Sequence, residues 1–290
     1  MNNYLWGMKQ SSRILKQVQS LKERYCRLAP DKQPLIELIN ETEVAEHVYN
    51  SNAIENSTLS LDETEKILMQ IDLDRFINER ELFEAKNLAR VVGYINQKAT
   101  EKEITLNIVL LLHKMLISNI RDDIAGRFRN ENEWVRVGNY IAPNPTEVLG
   151  LLKEMLVQYQ THDADNIVRR IAKLHLTFEH IHPFVDGNGR IGRAINNYAL
   201  LRHNFVPINI KFINRKEYYQ RKTTTTMEEI VGKALCHSFH KRLAYLEGKK
   251  IIPLSDYAKK TKTSHSNLLN KANRQTIEAF LEKGTWKIGI

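Results

Sequence analysis

Cysteine is nearly absent. Only Cys26 and Cys236 occur in 290 residues, with no close spacing of the kind that zinc or redox chemistry uses, so both are expected to be reduced filler residues. Long apolar runs are missing as well. Nothing approaches the ~18 uninterrupted apolar residues of a membrane span, and residues 1–20 lack the compact apolar core of a signal peptide. A cytoplasmic protein without a membrane partner is the expectation. No internal repeat is present, and the only low-complexity patch is the threonine run 223–226.

What is there describes a globular chain, 42% apolar and 27% charged, long enough for one large domain and a small one. The net charge of +9 favours anionic partners, and much of it is local. Residues 248–290 carry nine Lys or Arg against three Asp or Glu.

Helical periodicity dominates. Ile167, Ile171, Leu174, Phe178 and Ile181 recur at spacings of four, three, four and three, the stripe of a buried helix. Segments 35–54, 81–95 and 104–120 read the same way. The exception is 126–145, where Trp134-Val135-Arg136-Val137 and Tyr140-Ile141 flank Gly138-Asn139, a short hairpin signal. A break at 248–253 follows the helical run that ends near Leu246. The expected fold is mainly α, divided into 1–100, 101–247 and 248–290.

Residues 180–193 read HIHPFVDGNGRIGR, with Gly187, Gly189 and Gly192 spaced G-x-G-x-x-G. A dinucleotide fingerprint needs a strand before it and an acidic residue about 20 positions later. Neither is present. The glycines still let main-chain N–H groups converge at the start of a helix, where the dipole favours an anion. Arg190 and Arg193 fall on one side of that helix, and two guanidiniums beside an anion nest suit a polyphosphate. Asp186 would repel such a ligand unless a cation such as Mg²⁺ lay between them. His182, at the end of the preceding helix, is the nearby group able to accept a proton near neutral pH. A zinc site from His175, His180 and His182 is disfavoured, because residues 180 and 182 of a helix point about 200° apart. His175 and His180 are expected to be packed or solvated.

His182-Pro183-Phe184-Val185-Asp186-Gly187-Asn188-Gly189-Arg190-Ile191-Gly192-Arg193 resembles the Fic family at every defined position of H-P-F-x-[D/E]-G-N-G-R-x-x-R. The resemblance extends from about residue 35 to about residue 246. It implies a Fic-fold helical bundle with a β-hairpin flap, and transfer of AMP from ATP to a Ser, Thr or Tyr hydroxyl of a target protein. By that resemblance His182 is the general base and Asp186 holds Mg²⁺. Gly187, Asn188 and Gly189 would line the α- and β-phosphates, Arg190 the β- and Arg193 the γ-phosphate. Phe184 would anchor the loop. The hairpin, with Val135, Arg136 and Val137, would be the flap that registers an extended target segment by strand addition; a hairpin that merely covers the core is the alternative.

Ser51-Asn52-Ala53-Ile54-Glu55-Asn56 closes a helical run, and Ser51 and Glu55 share a face. A carboxylate at a helix C-terminus is opposed by the dipole and calls for a cation. The hexapeptide is similar to the Fic inhibitory motif [S/T]-x-x-x-E-[G/N] in its N-terminal placement, which implies that Glu55 pairs with Arg193 and displaces the γ-phosphate.

In the tail, helical patterns at 255–260 and 264–272 precede a brief strand at 283–288. This is similar to winged helix-turn-helix or excisionase-like tails on some Fic proteins. Its partner is expected to be DNA or a docking protein. Homodimer formation is left open, as are three other activities: a DNA- or partner-binding regulator that uses the core as a nucleotide sensor, a de-AMPylase, or a phosphotransferase. Tyr218, Tyr219 and 223–226 are weighed as self-modification sites against an ordinary solvated helix face, which is preferred.

Overall fold

In the computed structural model, residues 2–73, 75–161, 166–220 and 223–290 are described, the side chains of 2–12 excepted. Two compact units emerge. One comprises residues 44–205 and 210–228, the other residues 1–43, 206–209 and 229–290. The contacts therefore group the chain differently from the three-part division read from the sequence, joining the first forty-three residues to the tail.

The unit containing 44–205 is helical. Its core elements are α3 (Leu61–Leu68), α4 (Glu79–Lys98), α5 (Leu106–Ile117), α6 (Val148–Thr161), α7 (Ile167–Ile181) and α8 (Asn188–Arg202). Capping residues set their starts. Ser60 and Glu63 form a capping box on α3, Asn78 caps α4, and Thr105 accepts the Ile108 N–H to begin α5. The cap explains why the periodic segment 104–120 yields a helix two residues shorter at its start. Helix α8 packs against α4, α5 and α7, and every residue from Arg190 to Leu200 is buried. A helix buried all round is the centre of its fold, and its polar residues must be paired there. The expected hairpin is present as β1 (Arg136–Val137) and β2 (Tyr140–Ile141), with Arg136 opposite Ile141. The last turns of α2 (Gln33–Ile54), the short α9 (Arg215–Gln220) and the first turn of α10 (Thr224–Leu246) complete this unit.

In the other unit, α1 (Asn2–Leu28) and α10 approach closely, since a Cβ added at Gly232 would lie 3.0 Å from Ile14 Cγ1. Arg242 is fully buried and donates to Glu43 at 2.6 Å, Asn40 at 2.7 Å and Ser238 Oγ at 2.6 Å. The tail folds as β3 (Ile251–Pro253), α11 (Leu254–Thr261), α12 (His265–Asn273), β4 (Ala279–Glu282) and β5 (Thr285–Gly289). Its strands are antiparallel in the order β3-β5-β4, and Leu254, Ala258, Leu268, Ala272, Ala279 and Ile288 form its own core. The strand expected at 283–288 is thus one arm of a hairpin whose turn is Lys283-Gly284. Among the described residues no helix is long and apolar enough to cross a membrane.

Candidate active site

Helix α7 starts at Asn166, whose side chain accepts the Val168 N–H, and ends at His182 in the left-handed conformation, φ 50° and ψ 62°. A non-glycine residue rarely adopts a positive φ, and the helical regions are further disfavoured before a proline, so this loop must be held from outside. Arg129 holds it. The side chain is buried, and its Nε donates to the His182 carbonyl at 2.9 Å while its main-chain N–H donates to the Pro183 carbonyl at 2.9 Å. Its Nη2 also donates to the carbonyls of Pro143 at 2.5 Å and Ile181 at 3.3 Å, which ties the loop to the segment after the hairpin.

Phe184 is fully buried, stacked on the His113 ring at 3.7 Å between centroids. The His113 tautomer follows from its partners. The Gly126 N–H donates to Nδ1 at 3.0 Å, so Nε2 carries the proton and donates to the Asp186 carbonyl at 3.1 Å. Burial pushes its pKa down to about 4, so the neutral ring persists. Asn188 closes the loop from the other side, accepting the Phe184 N–H at 2.9 Å and donating to the Phe184 carbonyl at 2.8 Å. The Asn188 side chain is therefore committed to the loop, and its main-chain N–H is what it can offer an anion.

At the start of α8, Gly187 has φ 80°, and a Cβ there would lie 3.1 Å from methyl carbons of both Leu116 and Ile117. No side chain caps this helix, so the N–H groups of Asn188, Gly189 and Arg190 form an open anion nest. Glu55 lies against that nest, because a Cβ on Gly189 would overlap its Oε1. The same oxygen accepts from Arg193 Nη2 at 2.9 Å. Arg193 is buried, and its other donors reach Ser51 Oγ at 2.9 Å, the Ser51 carbonyl at 2.8 Å and the Tyr218 hydroxyl at 3.4 Å. Asn56 accepts from Arg215 at 2.5 Å.

Arg190 is buried between Glu84 Oε1 at 3.1 Å and Asp186 Oδ1 at 3.3 Å. Asp186 Oδ1 also accepts the Gly187 N–H at 2.6 Å, and its Oδ2 accepts from Arg80 at 2.6 Å. Burial opposes ionisation of Asp186, but Arg190 and Arg80 outweigh it and hold the carboxyl below its ordinary value. For His182 burial dominates and lowers the pKa. Its Nδ1 lies 3.3 Å from the Glu179 carbonyl, which can only accept; the neutral ring therefore carries its proton on Nδ1 and leaves the Nε2 lone pair free to act as a base.

The site thus joins His182, Asp186, the nest 188–190 behind Gly187, and the Arg190 and Arg193 side chains with Ser51, Glu55 and Asn56, the Gly187 N–H being committed to Asp186. In the hairpin, the Val135 carbonyl accepts the Ala142 N–H at 3.0 Å, Arg136 and Val137 form β1, and the Tyr140 hydroxyl approaches His180 Nε2 at 3.1 Å. Buried His175 pairs with Tyr218 at 3.0 Å and Asn196 at 3.0 Å, and His180 is exposed. The expectation of a solvated face at Tyr218 is corrected: it is 1% exposed, with its hydroxyl between His175 and Arg193. Sequence reasoning also missed Arg80 and Glu84 on α4, whose i, i+4 spacing was the available signal, and His113, the lone polar ring in an apolar run.

Residues 103–200 match the Fic/DOC family. They form a Fic domain. Protein adenylyltransferase Fic from Drosophila grimshawi is 31% identical over 219 residues, which is 70% of this chain and 44% of that protein. The chain thus spans less than half the length of that relative. Among solved structures, a Fic domain containing signaling protein from Bacteroides thetaiotaomicron superposes with a TM-score of 0.72 at 21% identity, over 81% of this chain and 98% of that one. A Fic family protein from Desulfovibrio desulfuricans superposes with a TM-score of 0.67 at 18% identity, over 97% of this chain and 96% of that one. These likenesses establish the fold.

In the Fic domain the Asn188 clamp predicts a stability effect. Asn188→Ala leaves the buried Phe184 N–H and carbonyl unpaired, at about 1–3 kcal/mol for each group, so its thermal midpoint is expected several degrees below wild type. An unchanged midpoint contradicts the clamp.

Proposed function

We propose that the protein transfers AMP from ATP to a hydroxyl of a target protein and that Glu55 restrains this activity. The observation that carries the reading is the placement of the Glu55 carboxylate, an anion held by Arg193 against the open N-terminus of α8. A carboxylate stands there for a phosphate, since both are anions that accept from a guanidinium and main-chain N–H groups. Arg193 would meet the γ-phosphate and Arg190 the β-phosphate once Glu55 withdraws. His182 Nε2 would take the proton from the attacking hydroxyl, whose oxygen bonds to the α-phosphorus as the bond to the departing pyrophosphate breaks. Rate enhancement would come mainly from positioning and charge stabilisation. The unpaired edges of the β1–β2 hairpin suit an extended target segment, which would present its hydroxyl by strand addition.

Asp186 fits a divalent cation. Its carboxylate is ionised, beside the nest, and already neutralised by the exposed Arg80 guanidinium at 2.6 Å. Mg²⁺ takes one or two carboxylates and fills its remaining positions with waters and phosphate oxygens, so a single protein ligand suffices. When bound, Mg²⁺ would neutralise phosphate charge. Arg80 would have to leave Asp186, which its exposed position permits.

Three measurements follow. Incubation with ATP labelled at the α-phosphorus is expected to label Glu55→Gly severalfold more than wild type and His182→Ala not at all. Label entering only from the γ-position would indicate a phosphotransferase, and equal labelling of wild type and Glu55→Gly would remove the restraint. The acid limb of the pH profile of Glu55→Gly should lie below pH 6.5, because a lowered pKa keeps His182 neutral until more acid pH. Loss of Glu55 also removes an interaction favouring the imidazolium and moves the limb further down; a limb above 6.5 contradicts His182 as a buried neutral base. Finally, Arg80→Ala should take up Mn²⁺ with ADP severalfold more tightly by paramagnetic resonance, whereas unchanged affinity would remove Arg80 as the resident counter-ion.

A further inference from the structure

The tail is tied to α1 and α10 through residues 275–282 and through β5, where the Trp286 ring meets His237 at 5.9 Å between centroids. The Gln275 carbonyl accepts from Gln17 at 2.7 Å, Glu278 pairs with Arg24 at 2.5 Å, and Glu282 pairs with Lys241 at 2.6 Å. The Leu281 N–H donates to His237 Nε2 at 2.5 Å. These four polar contacts come from residues 275–282, the segment after α12 and strand β4. Two of the three acids of the tail are thereby held by cations of α1 and α10, and the third, Asp256, is exposed on α11. Among the exposed side chains of the tail, cations outnumber acids, and Asp256 lies 3.7 Å from Lys259.

Helix α12 has one side committed and one free. Leu268 and Ala272 are buried in the core of the tail. Asn267, Asn270, Lys271 and Arg274 are exposed and recur at i, i+3, i+4 and i+7, within a stripe about 100° wide opposite those apolar residues. No acidic side chain lies on α12. It follows α11 after a short turn through Lys262 and Thr263 and is capped by Ser264. Lys259, Lys260 and Lys262, at the end of α11, and Lys283, in the hairpin turn between β4 and β5, are also exposed.

We propose that α12 and its flanking lysines are a binding site for double-stranded DNA, with the stripe of Asn267, Asn270, Lys271 and Arg274 entering the major groove. Helix-turn-helix pairs place their second helix in this way. Asn and Arg side chains form paired hydrogen bonds with adenine and guanine edges, and lysines on neighbouring elements neutralise phosphates. An amide and guanidinium stripe free of acids matches a duplex in both charge and hydrogen bonding, whereas a protein-docking helix is expected to present apolar or aromatic anchors on its free side. Recognition by this stripe does not depend on the nucleotide chemistry of the Fic domain.

The test is fluorescence anisotropy of a labelled mixed-sequence 30-base-pair duplex titrated with the full chain at several salt concentrations. Saturable binding is expected, with affinity falling steeply as salt rises, by a log–log slope of about −0.9 per phosphate contacted. The double variant Lys271→Glu/Arg274→Glu should lose tenfold or more in affinity. The charge-matched control Lys86→Glu/Lys153→Glu, on exposed positions of α4 and α6, should retain binding. Absence of saturable binding at low salt, equal loss in both double variants, or a preference for single-stranded RNA would each overturn the proposal. Unchanged circular dichroism of the two variants keeps a binding loss from being read as misfolding.

Discussion

The arrangement around α8 depends on one ion pair, between Arg193 and Glu55. Arg193 is buried near the start of a helix whose N-terminal donors have no cap, which gathers positive potential in one place. A buried guanidinium calls for acceptors around it, and the carboxylate of Glu55, itself exposed at the end of α2, is one of them. Glu55 and the Ser51 oxygens satisfy it, and doing so fixes the end of α2 over the nest. The same need would be met by a phosphate group. Under the proposed function the pair is a stabilising contact in one state and would be an obstacle in another.

A second layer of interactions holds the loop 182–187 in place. Arg129 holds the strained His182 backbone through carbonyls, His113 is kept neutral between Gly126 and Asp186, and Asn188 clamps Phe184. None of these side chains needs to touch a ligand. Together they set where His182 Nε2, Asp186 and the main-chain N–H groups stand, and a site held by packed, fully bonded neighbours keeps its geometry when its ligand changes.

Much of this was legible in the sequence because it is local. The apolar stripe from Ile167 to Ile181 produced α7, the glycines produced the turn and nest, and the hexapeptide 51–56 placed Glu55 where a cation was required. What the sequence hid is long-range. Arg80 and Glu84 reach Asp186 and Arg190 from about a hundred positions away, and no pattern within α4 names those partners. Tyr218 looked like a surface residue because its helix is only six residues long, too short for a buried face to register as periodicity. The grouping of residues 1–43 with the tail was likewise invisible, since it rests on pairs such as Arg24 with Glu278.

The central claim is that the α8 nest and Arg193 form a triphosphate site that Glu55 occupies in its absence. Calorimetric titration of ATP with Mg²⁺ into Glu55→Gly and into Glu55→Gly/Arg193→Ala tests it most directly. The account predicts saturable uptake of one ATP by the first protein and at least tenfold weaker uptake by the second. No uptake by Glu55→Gly, or equal affinity in the two proteins, would contradict it.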